Sequence, residues 1–263
     1  MVWRAEVKIY ISCDAEGISG IHRPPEEIPE YRTLMTRDVN AAVAGARAGG
    51  ATEIVVWDMH DGGKTLLYEE LDEGAEYVMG SPHVERFPGL DRSFAGVFMV
   101  GYHAMAGTTH AVCDHTMSSS MWQHLWINGV MLGEVGLDAL WAGRFGAPVL
   151  LVTGDDKVCA EARALLGDLE TAQVKVGLGR HAARFLSPKA ARQLIHDRAR
   201  AALAKVGKVK PYTMAPPYEV KLKYASSSHL DGILFDGKRR ERLDGQTIVY
   251  RTNDLVEALA RQV

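Results

Sequence analysis

The chain has 263 residues, enough for one large domain or two modest ones. Hydrophobic residues make up 47% of it and charged residues 24%, which is ordinary for a globular protein and excludes a disordered or collagen-like chain. A net charge of −3 without a long basic run argues against nucleic acid as a partner, and no stretch approaches the roughly 18 apolar residues of a membrane helix.

The start of the chain and its cysteines indicate a reducing compartment. The N-terminus enters a strand-like pattern directly, without a basic start and an apolar core, so we expect no signal peptide. Cys13, Cys113 and Cys159 are an odd, sparse set without a CxxC pair, which argues against a disulfide framework. We therefore predict a cytoplasmic protein.

Short apolar segments alternate with helix signals along the first two thirds of the chain. We expect strands over residues 6–12, 53–57, 94–100 and 148–153. We expect helices over residues 36–47 (with Thr36 as N-cap), 134–145, 157–166 and 188–206. Buried strands that alternate with helices are typical of the α/β class, with a mostly parallel sheet flanked by helices.

The later part of the chain follows a different pattern. Asn128-Gly129 between two apolar runs predicts a β-hairpin. Residues 205–217 are basic and contain prolines, which is typical of a connection; beyond them we expect a strand over 219–225 and a helix capped by Asn253. We predict an α/β domain over residues 1–205, which carries the candidate site, and a smaller C-terminal α+β lobe over 206–263.

Two carboxylates follow the first predicted strand. Asp14 and Glu16 lie two residues apart, so in extended backbone they would point to the same side. Two like charges held together repel each other, and a bound cation removes the conflict. Gly17 would let the chain turn closely around such an ion. A solvated strand end or a helix cap is the simpler interpretation of this segment taken alone.

Histidines follow the next two strands at the equivalent place. His60 comes just after the second strand and His103 just after the third. In open α/β sheets, ligands bind outside the carboxyl ends of the strands. Either histidine alone would more simply be a capping or hydrogen-bonded loop residue. The position that both share with Asp14 and Glu16 is what predicts a metal centre.

Three further polar positions are candidates for the same site. His115 lies in a polar loop and is a candidate for proton transfer, because imidazole titrates near neutrality. Glu134 begins a predicted helix, where it either ligates a metal or favours the helix dipole. Asp155 directly precedes a helix, so helix capping is the stronger interpretation there.

The motifs, taken in this order, resemble one family. It is the zinc-dependent D-aminopeptidases of the bacterial dipeptide-transport operon type, and the resemblance covers roughly residues 6–205. The matching motifs are SxDxEG (12–17), DxH (58–60), GYHA (101–104), HTM (115–117), GEVGL (133–137) and GDD (154–156). The segment over residues 22–29, rich in proline and acids, departs from the family's pattern.

The resemblance implies an aminopeptidase with two zinc ions per subunit. It implies that Asp14 bridges the ions, that His115 is the catalytic residue, and that the remaining ligands are Glu16, His60, His103 and Glu134. It also implies a homodecamer built from two rings. A shell of Asp, Glu and His suits zinc, with manganese or cobalt as alternatives.

We therefore predict hydrolysis of the N-terminal peptide bond of short peptides, with a preference for D-residues implied by the resemblance alone. The paired metals would activate water and receive the substrate's free α-amine, and His115 would act as general acid/base or, less simply, as nucleophile.

Two other classes of function stay open. A metal-dependent phosphoester hydrolase would use similar carboxylates and histidines, but it would need a basic clamp, and Arg23, Lys64 and Lys175 are scattered in the sequence. A non-catalytic binding or assembly protein would keep the fold with idle metal residues, which the presence of all six candidate residues disfavours.

Overall fold

The computed structural model describes residues 6–83, 85–237 and 240–260. The strands of these residues form one sheet of seven and one of five. In chain order they are β1 (Lys8–Cys13), β2 (Glu53–Asp58), β3 (Glu76–Val78), β4 (Phe94–Val100), β5 (Trp122–Ile127), β6 (Val130–Leu132), β7 (Val149–Asp155), β8 (Glu170–Gly179), β9 (Ala182–Phe185), β10 (Tyr218–Tyr224), β11 (Arg240–Arg242) and β12 (Thr247–Thr252).

The seven-stranded sheet runs in the order β3-β2-β1-β4-β7-β8-β9. All its neighbours pair in parallel except β9, which is antiparallel to β8. The strand order therefore changes direction between β1 and β4, which is where an open α/β sheet leaves a crevice at its carboxyl edge. The predicted α/β class with a mostly parallel sheet is confirmed.

Helices cover both faces of this sheet. They are α1 (Tyr31–Gly49), α2 (Glu134–Arg144), α3 (Asp156–Leu166), α4 (Pro188–Ala202) and α5 (Leu255–Ala260). Ile9 and Ile11 of β1 pack in one apolar cluster with α1 and α4, whereas Tyr10 packs in a second cluster with α2, α3 and the five-stranded sheet. Alternate side chains of β1 are thus buried on opposite faces. No helix in the described part of the chain is long and apolar enough to cross a membrane.

Two predicted helix caps are wrong. Helix α1 begins at Tyr31, upstream of Thr36, whose Oγ1 donates to the carbonyl oxygen of Arg32 at 2.8 Å inside the helix. The earlier start buries more of the helix, since Tyr31 packs against the same apolar cluster as the later turns. In α5 the cap is Asp254 rather than Asn253, because Asp254 Oδ1 accepts the backbone N–H of Val256 at 2.8 Å.

The five-stranded sheet is antiparallel, in the order β11-β12-β10-β5-β6. The predicted hairpin forms its β5–β6 edge, and both turn residues have positive φ, 50° at Asn128 and 81° at Gly129. That geometry is a type I′ turn, which suits the twist of two adjacent strands. Strand β5 also pairs with β10, so this sheet crosses the predicted boundary at residue 205, and the division into 1–205 and 206–263 stays a prediction.

Candidate metal centre

The loop that follows β1 carries the two carboxylates. The chain leaves the extended conformation after Cys13, and the N–H of Gly17 donates to the carbonyl oxygen of Gly101 at 2.7 Å. A Cβ on Gly17 would lie 1.9 Å from the carbonyl oxygen of Tyr102, so only glycine allows this approach. Asp14 and Glu16 do meet, but through this turn and not, as predicted, through the alternation of an extended strand.

A buried lysine donates hydrogen bonds to the backbone of the same loop. Lys175 of β8 is 2% exposed, and its Nζ donates to the carbonyl oxygens of Glu16, Ile18 and Ile21 at 2.6, 3.0 and 2.8 Å. Burial lowers the pKa of Lys175 to about 8. Three donors meeting three acceptors satisfy the ammonium group completely. Lys175 is therefore a positioning residue for the loop, a role that the sequence did not suggest.

Replacing Lys175 with Met is expected to destabilise the protein, because three buried carbonyl groups lose a charged donor. We expect the free energy of unfolding to fall by at least about 3 kcal/mol and Tm by roughly 6–12 °C. Thermal unfolding of the metal-free protein measures this. Lys205→Met is the matched control, since the ion pair of Lys205 is with the exposed Asp168. A Tm equal to that of the control would show that the loop does not depend on Lys175.

The loop that follows β2 presents His60. Asp58 does not face the site; its Oδ2 accepts the backbone N–H of Thr65 at 2.7 Å and that of the next residue at 2.8 Å, which closes the loop around the histidine. The Oγ1 of Thr65 lies 3.2 Å from His60 Nδ1. The other ring nitrogen, Nε2, lies 3.6 Å from Glu16 Oε1 and 3.5 Å from Glu26 Oε1.

His103, directly beyond β4, occupies the centre of the site. It is 2% exposed, and its Nδ1 lies 3.1 Å from the carbonyl oxygen of Ala104. A carbonyl oxygen can only accept, so Nδ1 carries the proton and Nε2 keeps a lone pair in the neutral ring. That Nε2 lies 3.4 Å from Asp14 Oδ2 and 3.2 Å from Glu134 Oε1. Such an arrangement orients a histidine for ligation of a metal.

His115 stacks on His103, with ring centroids 3.9 Å apart and planes 12° from parallel. Its Nδ1 donates to the carbonyl oxygen of Cys113 at 2.9 Å, so its Nε2 is also left with a lone pair, 3.5 Å from Glu134 Oε1. The same Glu134 oxygen accepts the backbone N–H of Met117 at 2.7 Å. Burial, and next the neighbouring His103, lower the pKa of His115.

The charges of the site oppose one another. Burial, and next the Glu16 carboxylate, raise the pKa of Asp14 well above its usual range. Burial acts against ionisation of Glu134 as well, but the two histidines beside it lower its pKa to about 2. Burial would lower the pKa of His60, yet the contact with Glu16 raises it to about 9. Without an ion, the site is a buried set of carboxylates and imidazoles that perturb each other strongly.

Three buried atoms of the site have no hydrogen-bond partner among the described residues: Asp14 Oδ2, Glu16 Oε2 and His103 Nε2. An unpartnered buried carboxylate is costly, and a cation is the partner that would satisfy all three atoms. Ligand atoms of Asp14, Glu16 and His103 lie within 4.8 Å of one another, as do those of His103, His115 and Glu134. Carboxylate oxygens and imidazole nitrogens are donors that suit zinc, so these residues fit such an ion.

The structure brings together all six residues singled out in the sequence. A cavity of about 370 Å³ opens over them, lined by Asp14, Glu16, His60, His115 and Glu134, with His103 buried behind. Three charged residues that the motifs did not indicate, Glu26, Asp61 and Arg86, line the same cavity. Glu26 belongs to segment 22–29, whose departure from the family's pattern could have indicated a role at the site. No motif surrounds Arg86.

Two other residues lie beside the site. Cys13 is buried in the apolar cluster with α1 and α4, and its Sγ lies 3.2 Å from the carbonyl oxygen of Trp57. Asp155 caps α3, because its Oδ1 accepts the N–H groups of Lys157 and Val158 at 3.0 and 2.9 Å. The capping interpretation of Asp155 is confirmed.

The chain is similar to known D-aminopeptidases along nearly its whole length. Residues 7–262 match the profile of peptidase family M55, described as D-aminopeptidase. A D-aminopeptidase of Bacillus subtilis (strain 168) is 33% identical over 261 residues, which cover 96% of this chain and 94% of the relative. The solved structure of the zinc-dependent D-aminopeptidase DppA from Bacillus subtilis, described as a self-compartmentalizing protease, matches with a TM-score of 0.89 and 32% identity, covering 96% of this chain and 94% of that one.

The chain therefore belongs to the D-aminopeptidase family M55. The resemblance inferred from the motifs is confirmed, and with it the predicted class of enzyme, an aminopeptidase and thus a hydrolase. The expected extent was too short, because the family match reaches residue 262 and not only about residue 205. The C-terminal strands carry none of the motifs named above, but β10 pairs with β5 in one sheet, so they are part of the same fold.

Proposed function

We propose that this chain is a zinc-dependent aminopeptidase that removes the N-terminal residue of short peptides at a site for two zinc ions. The observation that carries the proposal is the set of three buried, unpartnered ligand atoms, Asp14 Oδ2, Glu16 Oε2 and His103 Nε2, at the carboxyl edge of the sheet. The zinc dependence of the solved relative supports the choice of metal.

The contacts support two ions rather than one. Four of the five proposed ligands fall into two pairs, since His60 lies against Glu16 at 3.6 Å and His103 against Glu134 at 3.2 Å. Asp14 lies close to a member of each pair, because it contacts His103 and also clusters with Glu16. We assign Glu16 and His60 to one ion, His103 and Glu134 to the other, and Asp14 to both.

His115 is proposed as the residue that moves the proton. The bound metals would supply water activation and polarisation of the peptide carbonyl. The hydrogen bond from Nδ1 to the Cys113 carbonyl keeps the lone pair of His115 on Nε2, on the side of the cavity. Burial favours the neutral ring, so Nε2 can accept a proton from the attacking water and return it to the leaving amine.

The finer features of the proposal rest on the relatives. A preference for D-residues is supported by relatives named D-aminopeptidases, and a homo-oligomer, proposed as a decamer, by the self-compartmentalizing relative. The proposed cytoplasmic location is supported by three buried cysteines without disulfides. We propose peptides as substrates and neither nucleic acid nor membrane as partner.

Removal of the metal tests the proposed function. Treatment with a strong chelator is expected to abolish hydrolysis of D- and L-alanyl dipeptides. Added zinc is expected to restore hydrolysis, with full activity reached at about two bound ions per chain. Elemental analysis and a turnover assay measure both quantities. Full activity of the metal-free protein would refute the proposal. Cleavage of phosphate esters but not of peptides would favour the phosphoester alternative instead.

A further inference from the structure

Arg86 is the single permanently cationic side chain among the described residues that line the cavity. It lies between β3 and β4, outside every motif that predicted the site. Its side chain is 19% exposed and stands over the ring of Trp57, with Cζ 5.5 Å from the ring centroid. An arginine held inside a cavity lined with carboxylates needs a local partner, and the structure provides one.

The partner is Asp138, which is fully buried in α2. Arg86 donates to it from two nitrogens, Nε to Oδ1 and, at 2.9 Å, Nη2 to Oδ2. The hydroxyl of Tyr102 donates to the same Oδ2 at 2.5 Å. Because Tyr102 directly precedes His103, and Asp138 lies one helical turn after Glu134, the guanidinium is anchored to the frame that carries two proposed ligands.

This anchoring leaves one nitrogen of Arg86 unused. Its Nη1 donates no hydrogen bond to any of the described residues, and it is not among their fully buried unpartnered atoms. The guanidinium is thus held rigid on one side and keeps N–H groups available on another. A preorganised arginine of this kind is the residue that proteins use for carboxylates.

We propose that Arg86 binds the C-terminal carboxylate of a dipeptide substrate and so makes dipeptides the preferred substrates of the site. The proposal rests on the proposed aminopeptidase function and names its substrate class. In a dipeptide the terminal carboxylate lies about one residue length, roughly 3.5 Å, beyond the scissile carbonyl group. Arg86 lines the same cavity as Asp14, Glu16 and Glu134, so its free N–H groups lie in the cavity that also holds the proposed ligands.

Asp138 also limits how Arg86 acts. The pair is close to neutral as a whole, so its attraction at long range is weak, and recognition depends on short hydrogen bonds from Nη1. Longer peptides or C-terminal amides place no carboxylate at this point and gain nothing from Arg86. The effect is therefore a selection between substrates of different length, with a size set by a few charge-assisted hydrogen bonds.

The test measures binding separately from turnover. Calorimetry on the zinc-loaded His115→Ala protein makes two comparisons. The first is alanyl-alanine against its C-terminal amide. The second is alanyl-aspartic acid α-amide, which keeps only the side-chain carboxylate, against alanyl-aspartic acid diamide, which has no carboxylate. We expect alanyl-alanine to bind at least roughly 10-fold more tightly than its amide. Adding Arg86→Met should remove that difference. Arg86→Met combined with Asp138→Asn keeps the test valid where the unpaired Asp138 alone prevents folding.

The controls separate this inference from the proposed function. Arg198→Met, at an exposed arginine that pairs with Glu170, should keep the preference for the free carboxylate. A preference that persists without Arg86, or equal weakening of acid and amide, would overturn the inference, even where the wild-type protein hydrolyses peptides. Preference for the side-chain carboxylate over the terminal one would overturn it too. Absence of hydrolysis by the wild-type protein, with the Arg86-dependent preference intact, would refute the function and not the binding role.

Discussion

Asp14→Asn is expected to abolish zinc binding and lower kcat/KM by at least about 10³-fold, without destabilising the metal-free protein. The Oδ1 of Asp14 accepts the N–H of Ala15 at 2.9 Å, and the amide oxygen of Asn can keep that hydrogen bond. The buried Oδ2 has no hydrogen-bond partner in the described part of the chain, so a neutral group there costs less than a charged one. Elemental analysis, turnover and thermal unfolding measure the three effects.

The sign of the stability effect follows from the pKa of Asp14. Burial, and next the Glu16 carboxylate, raise this pKa in the folded protein above its value in the unfolded chain. The ionised group therefore costs stability once the pH is above the unfolded pKa of about 3.9. Asn removes that cost, so Tm of the metal-free variant at neutral pH should equal or exceed that of the metal-free wild type.

A second buried aspartate provides the control for Asp14→Asn. Both carboxylate oxygens of Asp38 accept hydrogen bonds from Ser19, at 2.8 and 2.9 Å, and neither belongs to the groups that could hold an ion. Asp38→Asn should therefore keep its zinc, in contrast to Asp14→Asn. Full zinc content and normal turnover in Asp14→Asn would contradict the assignment of Asp14 as a ligand.

His115→Ala is expected to keep its zinc and to lower kcat by roughly 10²–10⁴-fold, the usual contribution of general acid/base catalysis. The reason is that His115 borders the cavity while its Nδ1 is engaged with Cys113, which leaves Nε2 for proton transfer. Elemental analysis and steady-state kinetics of the purified variant measure both results.

The stacked neighbour of His115 provides the contrast. His103→Ala, at a ring only 3.9 Å away, should lose zinc as well as activity, because His103 is a proposed ligand. Zinc loss in His115→Ala would instead make His115 a ligand, which its place in a cluster with His103 and Glu134 allows geometrically. Retained zinc with nearly normal kcat would show that His115 only packs against His103.

The elements that position the site were predictable from local pattern. Strands β1, β2, β4 and β7 are short apolar runs, and each was expected within about two residues of its observed bounds. Strands β8 and β9 were missed, because their alternating polar residues give a weaker signal and their pairing depends on distant neighbours. The start of α1 was also misplaced, since packing of Tyr31 extends the helix beyond the capping signal of Thr36.

For the site itself, the sequence alone determined the chemistry at the strand ends. Asp14, Glu16, His60 and His103 follow parallel strands, and parallel strands end at one edge of a sheet, so a gathering of these residues was expected. For Glu134, the residues by themselves left both a ligand and a dipole effect open and ranked it below the other candidates, and the family resemblance implied the ligand.

Only the tertiary structure decided what Lys175 and Arg86 do at the site. Lys175 supports a loop that lies 159 positions earlier in the chain, because the order β1-β4-β7-β8 brings its strand beneath Glu16. Arg86 reaches the site through Asp138, a contact between residues 52 positions apart. Local sequence patterns report which conformation a segment prefers, whereas such contacts depend on how whole elements pack, and so no motif could have indicated them.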